Sequence, residues 1–259
     1  LAAYNEGKLS EGEVDYAGAM DLYQTAVALD KDNPEYLLAA GEMACTLADY
    51  SPAQEWLERL LEIRNGDNKD SMEVALAQHS LAAVHLCQGH FHVAEPLLHR
   101  SLALGKEDMG KDQAGLAASM NNLAGLYLEQ RKYTEAASLY QRALRIQENA
   151  LGKDHPVVSV TLNNLGVLYS KQGKYNDAEP FHKRALAIQR ERLSKDHPEV
   201  ASSLNNLAWL YEAQERYKEA VSLYQQCIAI LEKAFPEGSP KLNIVQAHYT
   251  RVKAKMGLA

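Results

Sequence analysis

Three stretches of this sequence recur at an unvarying interval, and that interval dictates what the chain can fold into. "MNNLAGLY" starts at Met120, "LNNLGVLY" at Leu162 and "LNNLAWLY" at Leu204, 42 residues apart each time. A second pattern follows each at constant distance: "KYTEAASLYQRALRIQE", "KYNDAEPFHKRALAIQR" and "RYKEAVSLYQQCIAILE". A period of this length means one supersecondary unit per repeat, stacked on its neighbours because a single unit cannot bury its apolar face alone. Within both patterns apolar or small residues fall at i, i+3, i+4 and i+7, so each repeat reads as two amphipathic helices, A then B. The expected fold class is all-α.

The regular repeats supply a template that uncovers irregular ones. Helix A carries a small residue (Ala124, Gly166, Ala208) with a Tyr three positions on (Tyr127, Tyr169, Tyr211). Helix B opens near a second Tyr (Tyr133, Tyr175, Tyr217) followed by an Ala (Ala136, Ala178, Ala220). Small residues let two helices approach closely, which is a requirement of packing rather than of chemistry. By the same marks, helix B recurs at Tyr16/Ala19, Tyr50/Ala53 and Phe91/Ala94, opposite Gly7, Gly41 and Ala82. Six repeats result, at about 1–33, 34–74, 75–115, 116–157, 158–199 and 200–239, as one array over 1–259. Residues 240–259 align with helix A alone and read as a capping helix. If residues 1–12 form the first helix A, thirteen helices are expected. "LGKDHPVV" and "LSKDHPEV" put Pro156 and Pro198 in a first helical turn behind an Asp-His able to cap it. Ser51, Pro52 and Gln54 read as a capping arrangement opening a helix B. The eight residues by which the period exceeds 34 are expected to lengthen helix B by about two turns.

These residues resemble tetratricopeptide repeats, and the 42-residue form with its DHP junction resembles the repeats of kinesin light chains and nephrocystin-3. The resemblance implies a right-handed superhelical α-solenoid, and a non-enzymatic scaffold that binds an extended peptide of a protein partner in its concave groove. Taking Ala124 as the core direction at 100° per residue, the positions six before, two before, one after and five after it point away from the core. In the regular repeats these are Ala118, Asn122, Gly125 and Glu129; Val160, Asn164, Val167 and Lys171; Ser202, Asn206, Trp209 and Ala213. Continued outward, they give Glu35, Ala39 and Glu42 at one end and His248, Arg251 and Lys255 at the other. Each Asn offers a donor and an acceptor, so Asn122, Asn164 and Asn206 could pair with a peptide backbone. The resemblance implies such a grip on cargo peptides; the alternative is hydrogen bonding between repeats. Asn121, Asn163 and Asn205 point sideways, toward the next repeat. Glu129, Val167, Lys171, Trp209 and Arg251 complete the candidate groove, in which Lys171 is the only central cation, too few to clamp a C-terminal carboxylate.

Composition narrows the alternatives. Net charge is −7, with 15 acids and 5 bases in residues 1–70 and 19 acids and 22 bases thereafter, which makes neither segment a nucleic-acid surface. No apolar run approaches the ~20 residues of a membrane span. Three dispersed cysteines, Cys45, Cys87 and Cys227, fit a reducing, cytoplasmic setting. None has an identifiable base partner, so no nucleophilic catalysis is expected. "GKEDMGKD" from Gly105 has phosphate-loop spacing, but Asp112 replaces the Ser or Thr that would bind magnesium, and it reads as a repeat loop. His85, His90, His92 and His99 lack a completing ligand, and His182 reads as a packed substitute for the Tyr of helix B. No cofactor or metal is expected, and a monomer is favoured. The chain starts at Leu1 without Met, as a fragment would. Two other functions stay open: the sensor or regulatory arm of a larger signalling ATPase or protease, and a self-assembling scaffold.

Overall fold

The computed structural model describes residues 1–12, 15–67, 72–107, 113–235 and 238–257. Among them lie thirteen helices and no strand: α1 (Ala2–Gly12), α2 (Tyr16–Leu29), α3 (Pro34–Thr46), α4 (Tyr50–Asp67), α5 (Met72–Cys87), α6 (Phe91–Glu107), α7 (Gln113–Glu129), α8 (Tyr133–Leu151), α9 (Pro156–Lys171), α10 (Tyr175–Arg192), α11 (Pro198–Ala213), α12 (Tyr217–Ala234) and α13 (Pro240–Lys255). Odd-numbered helices are the A helices and even-numbered ones the B helices. The chain forms two compact units, Leu1–Lys132 and Tyr133–Ala259.

Close A–B packing rests on the small residues the repeat pattern singled out. Ala82, Ala124 and Ala208 are fully buried. Where the position is Gly, the facing helix B side chain fills the vacated space: a Cβ at Gly7 would stand 2.7 Å from Tyr23, at Gly41 2.6 Å from Leu57, and at Gly166 2.5 Å from His182. The A helices end alike. A residue with positive φ stops α3, α5, α7, α9 and α11, at Ala48, Gly89, Arg131, Gly173 and Glu215, and the next amide bonds back five residues, as in Arg216 N to Tyr211 O at 2.8 Å. This six-to-one closure satisfies carbonyls that the helix end would leave open.

Helix starts follow the sequence signals, with one exception. Pro34, Pro156, Pro198 and Pro240 occupy first turns, capped by Asn33, His155, His197 and Ser239. The caps at the DHP junctions are the histidines themselves: Nδ1 of His155 accepts from Val157 N, and Nδ1 of His197 from Glu199 N, each at 3.2 Å. The capping arrangement at Ser51 is not formed. α4 begins at Tyr50, so Ser51 is already helical, and Gln54 donates to Glu58 at 2.8 Å. The longer period is also distributed differently from the expected two extra turns of helix B. Helix B grows from 14 residues in α2 to 19 in α8 and 18 in α10, and helix A from 13 in α3 to 16 in α9 and α11. Both helices lengthen by about a turn, which keeps them matched where they pack.

Buried polar groups tie successive repeats and also the two helices of a repeat. In the C-terminal unit, Gln147 accepts from Thr161 at 2.6 Å, and 42 residues on Gln189 accepts from Ser203 at 2.5 Å, joining each helix B to the next helix A. Ser101 in the N-terminal unit donates to the carbonyl of Ala75 at 2.8 Å; at the equivalent place, three periods later, the Cys227 thiol donates to the carbonyl of Ala201 at 3.1 Å. Cys227 thus does the work of a buried hydroxyl, and burial pushes its pKa up to about 12. α13 closes the C-terminal unit through a buried carboxylate. Glu212 accepts two bonds from Arg251, both 2.9 Å, and one from Tyr224 at 3.2 Å, with Lys255 Nζ 3.6 Å away.

Candidate functional site

Two asparagines adjacent in sequence separate structure from surface. Asn163 is buried; its amide donates to Ser203 on α11, and its Oδ1 accepts from His182 Nδ1 on α10 at 3.0 Å. It is the peg that registers α9 against α10 and α11, the sideways role its helix phase suggested. Burial lowers the pKa of His182 to about 4, so the ring stays neutral and donates from Nδ1. At Asn205, one repeat on, Tyr224 and Val245 replace those partners, and the buried Oδ1 has no hydrogen-bond partner among the described residues.

Asn164 and Asn206 lie one residue further round their helices. Both are half-buried, and among the described residues neither side-chain amide has an intramolecular partner. Val167 and Trp209 each stand one turn beyond, Val167 half-buried and Trp209 37% exposed; Val160, one turn before Asn164, is 41% exposed. Lys171 is exposed at the end of α9. On α11 the stripe continues through Ser202, whose Oγ accepts from Lys241 Nζ of α13 at 2.5 Å. Lys241 was missed by the sequence reading, although it stands two turns before His248 and so shares its helix face. The face formed by α9, α11 and α13 therefore offers open amides and apolar groups, with a cation at one margin. Arg251, also expected here, is committed to Glu212.

In the N-terminal unit the matching positions are occupied by internal contacts. Asn122 Nδ2 lies 3.4 Å from His79 Nδ1, which also faces Ser119 Oγ at 3.3 Å; burial lowers the His79 pKa to about 4. Ser80, one period before Asn122, donates to Glu42 at 3.0 Å. Glu129 is exposed at the end of α7.

Among the described residues no group of three or more His, Cys, Asp or Glu is arranged to hold a metal ion. His85 is buried, while His90, His92 and His99 are exposed, His99 lying 3.4 Å from the Tyr127 hydroxyl. The phosphate-loop-like stretch ends at Gly110, Lys111 and Asp112, outside the described residues. No helix among those described is long and apolar enough to cross a membrane.

Paired antiparallel helices, small residues at the crossings and polar pegs between repeats define an α-helical repeat scaffold. The chain belongs to the tetratricopeptide repeat family, whose model matches residues 73–149, 116–191 and 160–233. No curated protein matches the sequence. Solved structures share the fold. NprR in complex with its cognate peptide NprX superposes with a TM-score of 0.75 at 17% identity, over 96% of this chain and 72% of that one. A Rap protein complexed with competence and sporulation factor gives 0.68 at 17% identity, over 98% and 75%. A kinesin light chain-type protein from Podosopora anserina with nearly identical TPR-like repeats gives 0.56 at 24% identity, over 78% and 98%.

Proposed function

We propose that the chain is a non-catalytic interaction scaffold that binds an extended peptide segment of a protein partner along the face of α9 and α11. The observation that carries this reading is the pair of open amides. Each is half-buried with its amide atoms still reaching solvent, so it can give and take hydrogen bonds with an incoming chain without breaking one inside the protein, and both recur at the same place one repeat apart. A peptide backbone supplies alternating donors and acceptors to such a ladder whatever its side chains. Trp209 and Val167 then give apolar anchors, of the kind that dominates interface energetics, and Lys171 and Lys241 favour acidic residues in the peptide. NprR is in complex with its cognate peptide and the Rap protein with competence and sporulation factor, which favours the same class of ligand here.

The test is selection from a library of 12- to 15-residue peptides, followed by titration of the selected sequences by fluorescence anisotropy. Asn164→Ala/Asn206→Ala should weaken binding roughly ten- to thirtyfold, given a net ~1 kcal/mol per lost hydrogen bond. Selected peptides that bind the double variant as tightly as the wild type would remove this face from consideration.

A further inference from the structure

Lys241 stands where a helix does not favour a cation. It is the second residue of α13, behind Pro240 and the Ser239 cap, at the end where free amides already carry positive charge. The same place holds Val157 in α9 and Glu199 in α11, 42 residues apart each time. The ammonium is held there: Nζ donates to Ser202 Oγ of α11 at 2.5 Å, and Ser202, whose own hydroxyl donates to the Pro198 carbonyl at 3.1 Å, can only accept. Other cations of α13 differ. Arg251 and Lys255 share the Glu212 carboxylate, whereas among the described residues no carboxylate lies within ion-pair distance of Lys241. The face it joins is apolar elsewhere. Among the described residues of the C-terminal unit the exposed large apolar side chains are Val157, Val160, Trp209 and Ile244, and Ile244 is one turn from Lys241 on α13. We propose that Lys241, positioned by Ser202, is the seat for an anionic group, a carboxylate or a phosphate, of the peptide that we assign to this face, an inference that rests on that peptide reading.

An ammonium has three donors and Ser202 takes one, so two N–H groups are left for a ligand. An anion bound there meets the ammonium and the amide end of α13 together, and both attract it. Pairing with an exposed lysine is usually weak, because a long flexible side chain must first be ordered. Ser202 has already ordered this one, and a peptide lying against Ile244 would shield the pair from water, where the attraction is stronger. The outward face of α11 carries Ser202, Asn206 and Trp209 on successive turns. Seven residues separate Ser202 from Trp209, about 10 Å of helix, which an extended chain spans in about three residues. Peptides that use both places should therefore carry an anionic residue about three positions from a large apolar one.

The experiment takes peptides selected against the full chain and sets two changes against each other: Lys241→Met in the protein, and Asp→Asn at the acid of the peptide. Each alone should weaken binding about tenfold, and the two together no more than either alone, as for a charged pair that one change already breaks. Lys241→Glu should prefer the peptide whose acid is replaced by Lys. Ser202→Ala keeps the charge but releases it, and should weaken binding several-fold only for peptides that retain the acid. The fold reports in the opposite direction: taking a cation out of the first turn of α13 should leave the thermal midpoint unchanged or raise it, so a weaker complex is not a weaker fold. Three versions of one peptide, with Asp, with phosphoserine, and with the acid replaced but the C-terminal carboxylate free, identify the source of the anion as the version whose affinity depends on Lys241. Peptides that need Asn164 and Asn206 yet bind Lys241→Met as tightly as the wild type in all three versions overturn this inference and leave the peptide reading standing. A library that yields no binder overturns both.

Discussion

The N-terminal and C-terminal units are built from the same repeat but leave different groups unsatisfied. In the first, residues at the outward positions of the A helices bond within the unit: Ser80 to Glu42 and Asn122 beside His79. In the second, Asn164 and Asn206 have open amides, with Trp209 and Val160 exposed near them. The contrast separates what every repeat must do from what only some are free to do. Helix pairing consumes the small residues, the Ala of helix B and the polar pegs in both units. Positions that packing does not use are open at Asn164 and Asn206, in two of the three regular repeats, and it is these that we propose for recognition.

If the difference lies only in the outward positions, damage to the packing should affect both units alike. Gly41→Val in the first and Gly166→Val in the second should each cost about 3 kcal/mol, because the added atoms collide with Leu57 and His182. Chemical denaturation would measure this. A large cost in one unit and none in the other would mean the two are not packed by the same rule. A neutral histidine in each unit, His182 buried and His79 half-buried, extends the parallel. Both His79 and His182 have folded pKa values of about 4, below the ~6.5 of an unfolded histidine. The unfolded chain therefore binds more protons as the pH falls, so their contribution is complete above pH ~6.5 and is lost progressively toward pH 4. His182→Tyr, matching Tyr140 and Tyr224, should remove the second unit's share of that slope in a pH series of thermal midpoints.

Outward substitutions should distinguish the units. Trp209→Ala should weaken peptide binding by ~2 kcal/mol with little change in thermal midpoint, because the ring faces away from the core. Loss of the fold instead would place Trp209 in the packing and reverse the helix phase. Smaller still, Asn164→Ala should cost ~1 kcal/mol of binding and no stability, whereas Asn122→Ala should cost a comparable amount of stability through His79. Isothermal titration beside thermal denaturation of both variants would show whether that division holds.

The repeat made the fold legible because period, small residues and junction prolines each answer to packing geometry. The outward phase was legible for the same reason: 100° per residue from a buried Ala places Asn164, Asn206 and Trp209 without reference to any partner. Contacts between different repeats were not legible. Arg251 lies on the groove stripe by periodicity, yet Glu212 of the preceding helix A claims it, and periodicity carries no information about such a pair. Lys241 reaches Ser202 for the same kind of reason. Ser51 misled because Ser-Pro is a capping signal only when the helix has not already begun, and the αL turn at Ala48 lets it begin at Tyr50, two residues before Pro52.

The most direct measurement of the central claim uses one of the chain's own two tryptophans. Trp56 is partly buried against the core of the N-terminal unit and can be replaced by Phe, leaving Trp209 as the sole indole. Titrating a selected peptide into this variant, with anisotropy of a labelled peptide reporting saturation, should shift the Trp209 emission to shorter wavelength in step with binding, as the peptide removes the ring from water. Saturation of the anisotropy signal with an unchanged emission spectrum would contradict the account and place the ligand elsewhere on the molecule.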